Sequence, residues 1–313
     1  MIKKKTVLVL GAGASMPYGL PSGSQLMKEI LDGIASEGEA LFRRLRALGN
    51  DPDEIDSFHK NLLRSDQPSV DAFLEHWLDF VNMGKQAIAA CLIPKEIESQ
   101  FAYRSREGDS WYQYLIGKLS VASPDEFTKN KLAIVTFNYD RSIEHYLFTT
   151  LKHRYNLQDK ECADLMSEIP IIHVHGSLGK LPWQGHPSRP YGPRIPTPNY
   201  ADVSDAAIKG ASQQIKVVSE ADKRSSEFTK AYQEMKNATK IYFLGFGYYE
   251  LNLKRLRIKS ITGGIFSEYS EDAHGTSHEM GKSDLKTITS KWGIKFKDPV
   301  KIYDFLRNYV ILE

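Results

Sequence analysis

The sequence lacks most of the features that would sort it quickly into a class. Its 313 residues include two cysteines, Cys91 and Cys162, too few for a disulfide framework or a four-cysteine zinc site. No apolar run approaches the roughly 20 residues of a membrane span. A net charge of +2 gives no reason to expect a nucleic-acid surface. Two familiar phosphate loops are missing as well. There is no Gly-x-x-x-x-Gly-Lys-Ser/Thr, and Gly-x-Gly-x-x-Gly fails at its third position, Met16. The latter motif also needs a second strand with an acidic end about 20 residues on, and the region around Asp32 reads as helix. What remains, 41% hydrophobic and 26% charged residues, is an ordinary globular composition.

The stretch that organises the chain is Thr6-Val7-Leu8-Val9-Leu10, an aliphatic run fit for a strand buried on both faces, followed by Gly11-Ala12-Gly13-Ala14-Ser15. After Ser22 the pattern turns helical, with Leu26, Ile30, Leu31 and Ile34 on one face. Strand, glycine turn and helix together make a cradle for an anion, with backbone N–H groups of residues 11–15 as the expected phosphate donors. The same glycines could instead mark only a turn. Lys3-Lys4-Lys5 and the following apolar residues imitate a signal peptide, but the apolar part is too short for an h-region. The expected location is cytoplasmic.

From Ser22 to about Leu119 the periodicity predicts helices, with Asp71 and Asp109 as helix caps and Phe73, Trp77 and Phe80 as core. A helical connection this long, 22–130, reads as an insertion subdomain within a single 1–313 domain. Its aromatics, Trp77, Trp111 and Tyr112, suit either a self-association surface or a lid with every ring buried. Further strands are expected at Lys131–Thr136, Ile169–Val174 and Lys240–Leu244. Pro182–Pro198 reads as loop, Ser219–Met235 as helix, Ser267–Asp284 as polar loop and Asp298–Val310 as a closing helix. His274 and His278 form no recognisable metal pair, and no metal is expected.

Each strand ends in a polar or glycine cluster: Gly11–Ser15, then Asn138 and Asp140, then His175, then Gly245, Gly247 and Asn252. Strands separated by helices imply a parallel α/β sheet, whose ligands bind beyond the carboxyl ends of the strands. Asn138 and Asp140 could also cap the next helix. One of His173 and His175 could be a satisfied core histidine.

Gly11-Ala12-Gly13-Ala14-Ser15 with Gly19-Leu20-Pro21, Thr136-Phe137-Asn138-Tyr139-Asp140, and His175-Gly176 together resemble the sirtuin family. The resemblance covers roughly 5–35, 130–180 and 238–260. It implies a Rossmann-like sheet with helices on both faces and a large helical insertion after the first strand. The zinc-binding cysteines of sirtuin deacylases are absent, and Ser22-Gly23 stands where they carry a Phe-Arg pair. Phe137 likewise stands in place of their Gln. The chain is more similar to the zinc-free sirtuin-like NAD hydrolases of bacterial antiphage defence.

That resemblance implies NAD⁺ as substrate, no zinc, and cleavage of the nicotinamide–ribose bond to nicotinamide and ADP-ribose. It implies Asn138 and His175 as the catalytic residues: Asn138 to orient the ribose hydroxyls or water, His175 as base. It also implies Gly11, Ala12, Gly13, Ala14, Ser15, Leu20, Pro21, Asp140, Gly245, Gly247 and Asn252 as NAD contacts. Asp140 would meet the carboxamide and Asn252 a ribose or the adenine. A homo-oligomer or a separate regulator or sensor, such as a nucleotide-driven ATPase, is the expected partner; membrane and direct nucleic-acid binding are not expected. A deacylase or ADP-ribosyltransferase, or a non-catalytic NAD or ADP-ribose sensor, are the alternatives.

Overall fold

The computed structural model describes residues 1–192, 203–217, 226–262 and 272–312. Among them, six strands form one all-parallel sheet: β1 (Thr6–Leu10), β2 (Leu132–Thr136), β3 (Ile171–His173), β4 (Lys240–Leu244), β5 (Asp272–Gly275) and β6 (Lys295–Phe296), in the order β3-β2-β1-β4-β5-β6. This is the expected α/β fold with its helical insertion after β1. The order reverses between β1 and β4, because the chain first builds one half of the sheet and then the other.

Alternation along the strands divides the core into layers. Leu8, Leu10, Leu132, Ile134, Tyr242 and Leu244 face one side. There they pack against α7 (Trp111–Leu119), α9 (Ser142–Tyr155), α10 (Asp159–Ser167) and α16 (Ile302–Asn308). Val7, Val9, Ala133, Val135, Ile241 and Phe243 face the other side, under α12 (Ser226–Lys236), α13 (Glu250–Arg255), α14 (Ile258–Thr262) and α15 (Lys282–Trp292). β1, the central strand, is buried along its whole length.

The insertion has two parts. Helices α1 (Gly23–Gly33), α2 (Ala40–Ala47), α3 (Pro52–Arg64), α4 (Val70–Leu74) and α5 (Val81–Leu92) share a core of their own, closed by Ile208 and Ala211 of α11 (Asp205–Gln214). Helices α6 (Ser99–Glu107), α7 and α8 (Pro124–Phe127) lend Phe101, Trp111 and Phe127 to the sheet's core instead. Trp111 and Tyr112 are buried, which removes them from any association surface; Trp77 (41% exposed) and Leu78 (63%) lie at the surface. Phe73 is core as expected, with Trp77 stacked on its ring at 5.8 Å.

A buried ion cluster locks the segment after β3 to the insertion. Arg141 Nε and Nη2 donate to the two Glu96 carboxylate oxygens at 2.9 and 2.7 Å, Arg189 Nη2 lies 2.8 Å from Glu96, and Gly192 N–H donates to it at 3.0 Å. Arg141 Nη1 also donates to the carbonyl of Arg189 at 2.9 Å.

Several expectations need correction. The expected loop 267–284 contains β5 and the start of α15; its part up to Glu271 lies outside the described residues. β5 is defined by its pairing with β4 and β6, since Asp272-Ala273-His274-Gly275 carries no apolar run. β6 and α11 were not expected. Ser69 and Ser110, rather than Asp71 and Asp109, cap α4 and α7, accepting from Ala72 N–H at 3.3 Å and Gln113 N–H at 3.2 Å. Of the expected proline-rich loop, 182–192 is irregular apart from a 3₁₀ turn at Pro182–Gln184 and 193–198 lies outside the described residues. The first part of the expected helix from Ser219, up to 225, does too. No helix among the described residues is long and apolar enough to cross a membrane.

Candidate active site

A cavity of about 850 Å³ opens beyond the carboxyl ends of β1 and β4, at the point where the strand order reverses, the usual place for a ligand in such a sheet. The sheet supplies one wall and the insertion the other.

At its floor the loops after β1 and β4 interlock. Gly11 N–H donates to the Leu244 carbonyl at 3.1 Å, and Gly13 N–H to the Gly245 carbonyl at 3.0 Å. A Cβ on Gly13 would lie 2.9 Å from Gly245 Cα, and one on Gly245 would lie 2.2 Å from Ala14 N at a left-handed φ of +58°. These glycines are therefore required by the approach of two backbones. Ala14 N–H and Ser15 N–H donate to the carbonyls of Gly11 and Ala12 at 2.9 and 3.0 Å. Four of the five N–H groups expected to cradle phosphate thus have partners within the protein. Helix α1 begins at Gly23, directly after Ser22 as expected, and two 3₁₀ turns, Ala12–Ala14 and Met16–Tyr18, lead from the glycine loop towards it. Its N-terminal turn, capped by a Ser22/Gln25 capping box, lines the cavity together with Leu20 and Pro21.

Asn138 is fastened at every polar atom but one. Its N–H donates to Thr136 Oγ1 at 3.0 Å, and Nδ2 donates to the Gly11 carbonyl and to Ser15 Oγ, each at 3.0 Å. Its backbone carbonyl accepts from His173 Nδ1 at 2.9 Å. The remaining atom, Oδ1, belongs to a residue that lines the cavity. Asp140, beside it, accepts from Ser142 N–H at 3.0 Å and from the Ser142 hydroxyl. Asp140 is therefore a helix-start residue as well as a cavity residue. Burial lifts its carboxyl above the usual carboxylate range against the hydrogen bonds from Ser142 and Ser15.

The two histidines separate cleanly. His173 is the satisfied one: Nδ1 meets the Asn138 carbonyl and Nε2 meets Glu144. Burial alone would lower its pKa, but Glu144 outweighs burial and the ring titrates above its ordinary value. His175 is 5% exposed and lines the cavity, and its Nδ1 has no protein partner. Burial and the nearby Arg255 charge push its pKa down to about 4, while a hydrogen bond with Asn252 pulls the other way. Phe137 and Phe228 meet the ring edge-on at 5.3 and 5.6 Å. At neutral pH this imidazole is uncharged and able to accept a proton, though burial makes it a weaker base than the reference value near 6.5 suggests.

Of the residues expected here, Gly11, Ala12, Gly13, Leu20, Pro21, Asn138, Asp140, His175, Gly245, Gly247 and Asn252 line the cavity. Ala14 and Ser15 lie beneath it: Ala14 offers its carbonyl to Trp111 Nε1 at 2.8 Å, and Ser15 supports Asn138. Sequence reasoning missed the opposite wall. Asp71 accepts from the Tyr139 hydroxyl, Glu75 lies 3.8 Å from Arg255, and Arg104 lies 3.6 Å from Asp109. It also missed Thr276, whose hydroxyl oxygen accepts from Gly245 N–H at 2.9 Å, and Lys301 and Tyr303 at the start of α16. No motif marks these residues, since separate helices carry them to the cavity. Among the described residues no group of three or more His, Cys, Asp or Glu side chains is arranged to hold a metal ion, and both cysteines are buried.

No protein-family model matches this chain, and no curated protein matches it in sequence.

Proposed function

We propose that this chain is a sirtuin-like NAD⁺ hydrolase, which takes NAD⁺ and water to nicotinamide, ADP-ribose and a proton. The observation that carries this reading is the pairing, on one cavity wall, of an uncharged buried imidazole with a carboxamide oxygen whose residue is otherwise fully anchored. A site built only to hold a ligand has no need of a base.

In the proposed reaction the bond between the anomeric carbon and the nicotinamide nitrogen breaks, and the ring departs neutral with the bonding pair. The sugar carbon becomes oxocarbenium-like, and a water oxygen bonds to it from the opposite face. Asn138 Oδ1 accepts from that water or from a ribose hydroxyl and so fixes its position. His175 takes the released proton; the phosphate charges of a bound dinucleotide would raise its basicity in the transition state's favour. The N-terminal turn of α1, with the positive end of its dipole at the cavity, is the better candidate for the pyrophosphate than the spent N–H groups of residues 11–15. Asp140, its carboxyl lifted by burial, faces the space a carboxamide would fill. Asn252, at the His175 ring, holds the base's orientation rather than a ribose.

A hydrolase that consumes NAD⁺ needs restraint in its own cell. The same reading assigns that restraint to self-association or to a separate regulatory protein, and a role in antiphage defence follows from the motif resemblance.

Incubating the purified protein with NAD⁺ and chromatographing the products tests the proposal. Nicotinamide and ADP-ribose are expected in equal amounts. NAD⁺ consumption only in the presence of an acylated lysine peptide would replace hydrolysis by deacylation. ADP-ribose binding without turnover, alone or with candidate partners, would make the chain a sensor.

A further inference from the structure

Beneath the cavity, Glu144 and His173 form a buried pair whose side chains are 3% and 13% exposed. A backbone carbonyl can only accept, so the His173 Nδ1 that lies 2.9 Å from the Asn138 carbonyl carries a hydrogen. Glu144 holds the opposite nitrogen. The ring is thus gripped from both ends. Its grip on the Asn138 backbone carbonyl joins that of Thr136 on the backbone N–H and those of Gly11 and Ser15 on the carboxamide Nδ2, and together these leave Oδ1 as the residue's one free polar atom. Three of these fix the residue from β2 and the loop after β1, and His173 alone ties it to β3. We propose that His173 is a positioning residue that, braced by Glu144, holds the Asn138 backbone so that Oδ1 is aimed at the reacting sugar, a role that rests on the hydrolase reading above.

The raised affinity of His173 for its proton agrees with this arrangement, since both Glu144 and Asp140 favour the charged ring. When charged, the ring donates from both nitrogens at once and cannot switch tautomer. His175, two residues on, is uncharged. The strand end therefore carries one histidine for chemistry and one for aim.

The test uses the full-length protein. His173→Leu is expected to lower kcat by about 10- to 100-fold, as a small misplacement of an orienting group does, with KM for NAD⁺ within about twofold of wild type. His173→Gln keeps an N–H donor for the carbonyl and is expected to recover most of that loss. The side-chain NH₂ signals of Asn138, assigned in ¹⁵N spectra by their absence from Asn138→Ala, are expected to shift in His173→Leu and to stay near their places in His173→Gln. In the wild-type protein His173 Nδ1 is expected to carry a hydrogen, which ¹⁵N shifts read without any variant. Unchanged kcat in His173→Leu would overturn the proposal, as would unmoved Asn138 signals or a His173 Nδ1 without a hydrogen. Absence of turnover in wild type would overturn the hydrolase reading instead, and the spectra would still decide whether His173 holds Asn138.

Discussion

On the sheet wall of the crevice Asn138, Asp140 and His175 are 8%, 8% and 5% exposed, and their bonds run to backbone or to other buried side chains. On the insertion wall Glu75, Arg104 and Asp109 keep 20%, 30% and 34% of their side-chain surface in solvent; Arg104 pairs with Asp109 at 3.6 Å and Glu75 with Arg255 of α13 at 3.8 Å. A buried, hydrogen-bonded group is held in one geometry, whereas a partly solvated ion pair contributes little and rearranges easily. Under the proposed hydrolase reading, the difference means that the bond-breaking step falls to the sheet and admission of the ligand to the insertion. It also explains why the insertion can have its own core without disturbing the reacting groups.

The comparison breaks first at the sheet wall. Asn138→Ala and His175→Ala are each expected to reduce NAD⁺ turnover by about 10²–10⁴-fold, with the melting temperature recorded to show that the variants remain folded. Loss of either residue with full turnover would empty the sheet wall of its chemistry.

The next effect is on stability and depends on pH. His175 titrates at about 4 in the folded protein and near 6.5 when unfolded, so the unfolded chain binds the extra proton between those values. Stability is therefore expected to fall as pH drops from about 6.5 to 4, by about 3 kcal/mol from this residue when the change is complete. His173 acts oppositely: its raised value adds stability below about 6.5, lost as pH rises through its folded pKa. Denaturant midpoints from pH 4 to 9 would show the slope, and His175→Gln should flatten its acidic part.

Smaller still is the expected effect at the interlocked glycines. Gly13→Val forces a side chain into the Gly245 backbone and should cost about 1–3 kcal/mol of stability, as overpacking does. A loss of ADP-ribose affinity larger than the loss of stability would instead make the loop a ligand contact. Urea denaturation beside calorimetric titration with ADP-ribose separates the two. The smallest effect belongs to the insertion wall: Glu75→Gln is expected to change stability by under about 1 kcal/mol and to leave kcat unaltered, with any shift confined to KM. A large drop in kcat would abolish the division between the walls.

How much of this was legible depended on which force shaped each part. β1, β2 and β4 are buried on both faces, so composition announces them, and a polar residue just past such a run stands out. β5 escaped because Asp272-Ala273-His274-Gly275 pairs through its backbone and has no apolar run to betray it. Asp71 looked like a cap; Ser69 takes that place, and Asp71 bonds Tyr139 from across the crevice. His173 and His175 could not be told apart by spacing, because burial against Glu144 in one case and Arg255 in the other decides their charge. The insertion wall has no signature at all. Its residues meet only when helices distant in sequence pack together.

The central position of β1 has a consequence for synthesis. Its partner β4 begins at Lys240, about 230 residues later, which at 5–20 residues per second leaves the ribosome roughly 10–50 seconds after β1. For that interval an aliphatic strand has its β4-facing edge unpaired, the condition that invites association with other chains. Helices α1–α5 emerge meanwhile, but their shared core still waits for Ile208 and Ala211 of α11. The nascent chain therefore holds two unfinished surfaces until its last third is made, and demand for a chaperone should be greatest between residues 130 and 240.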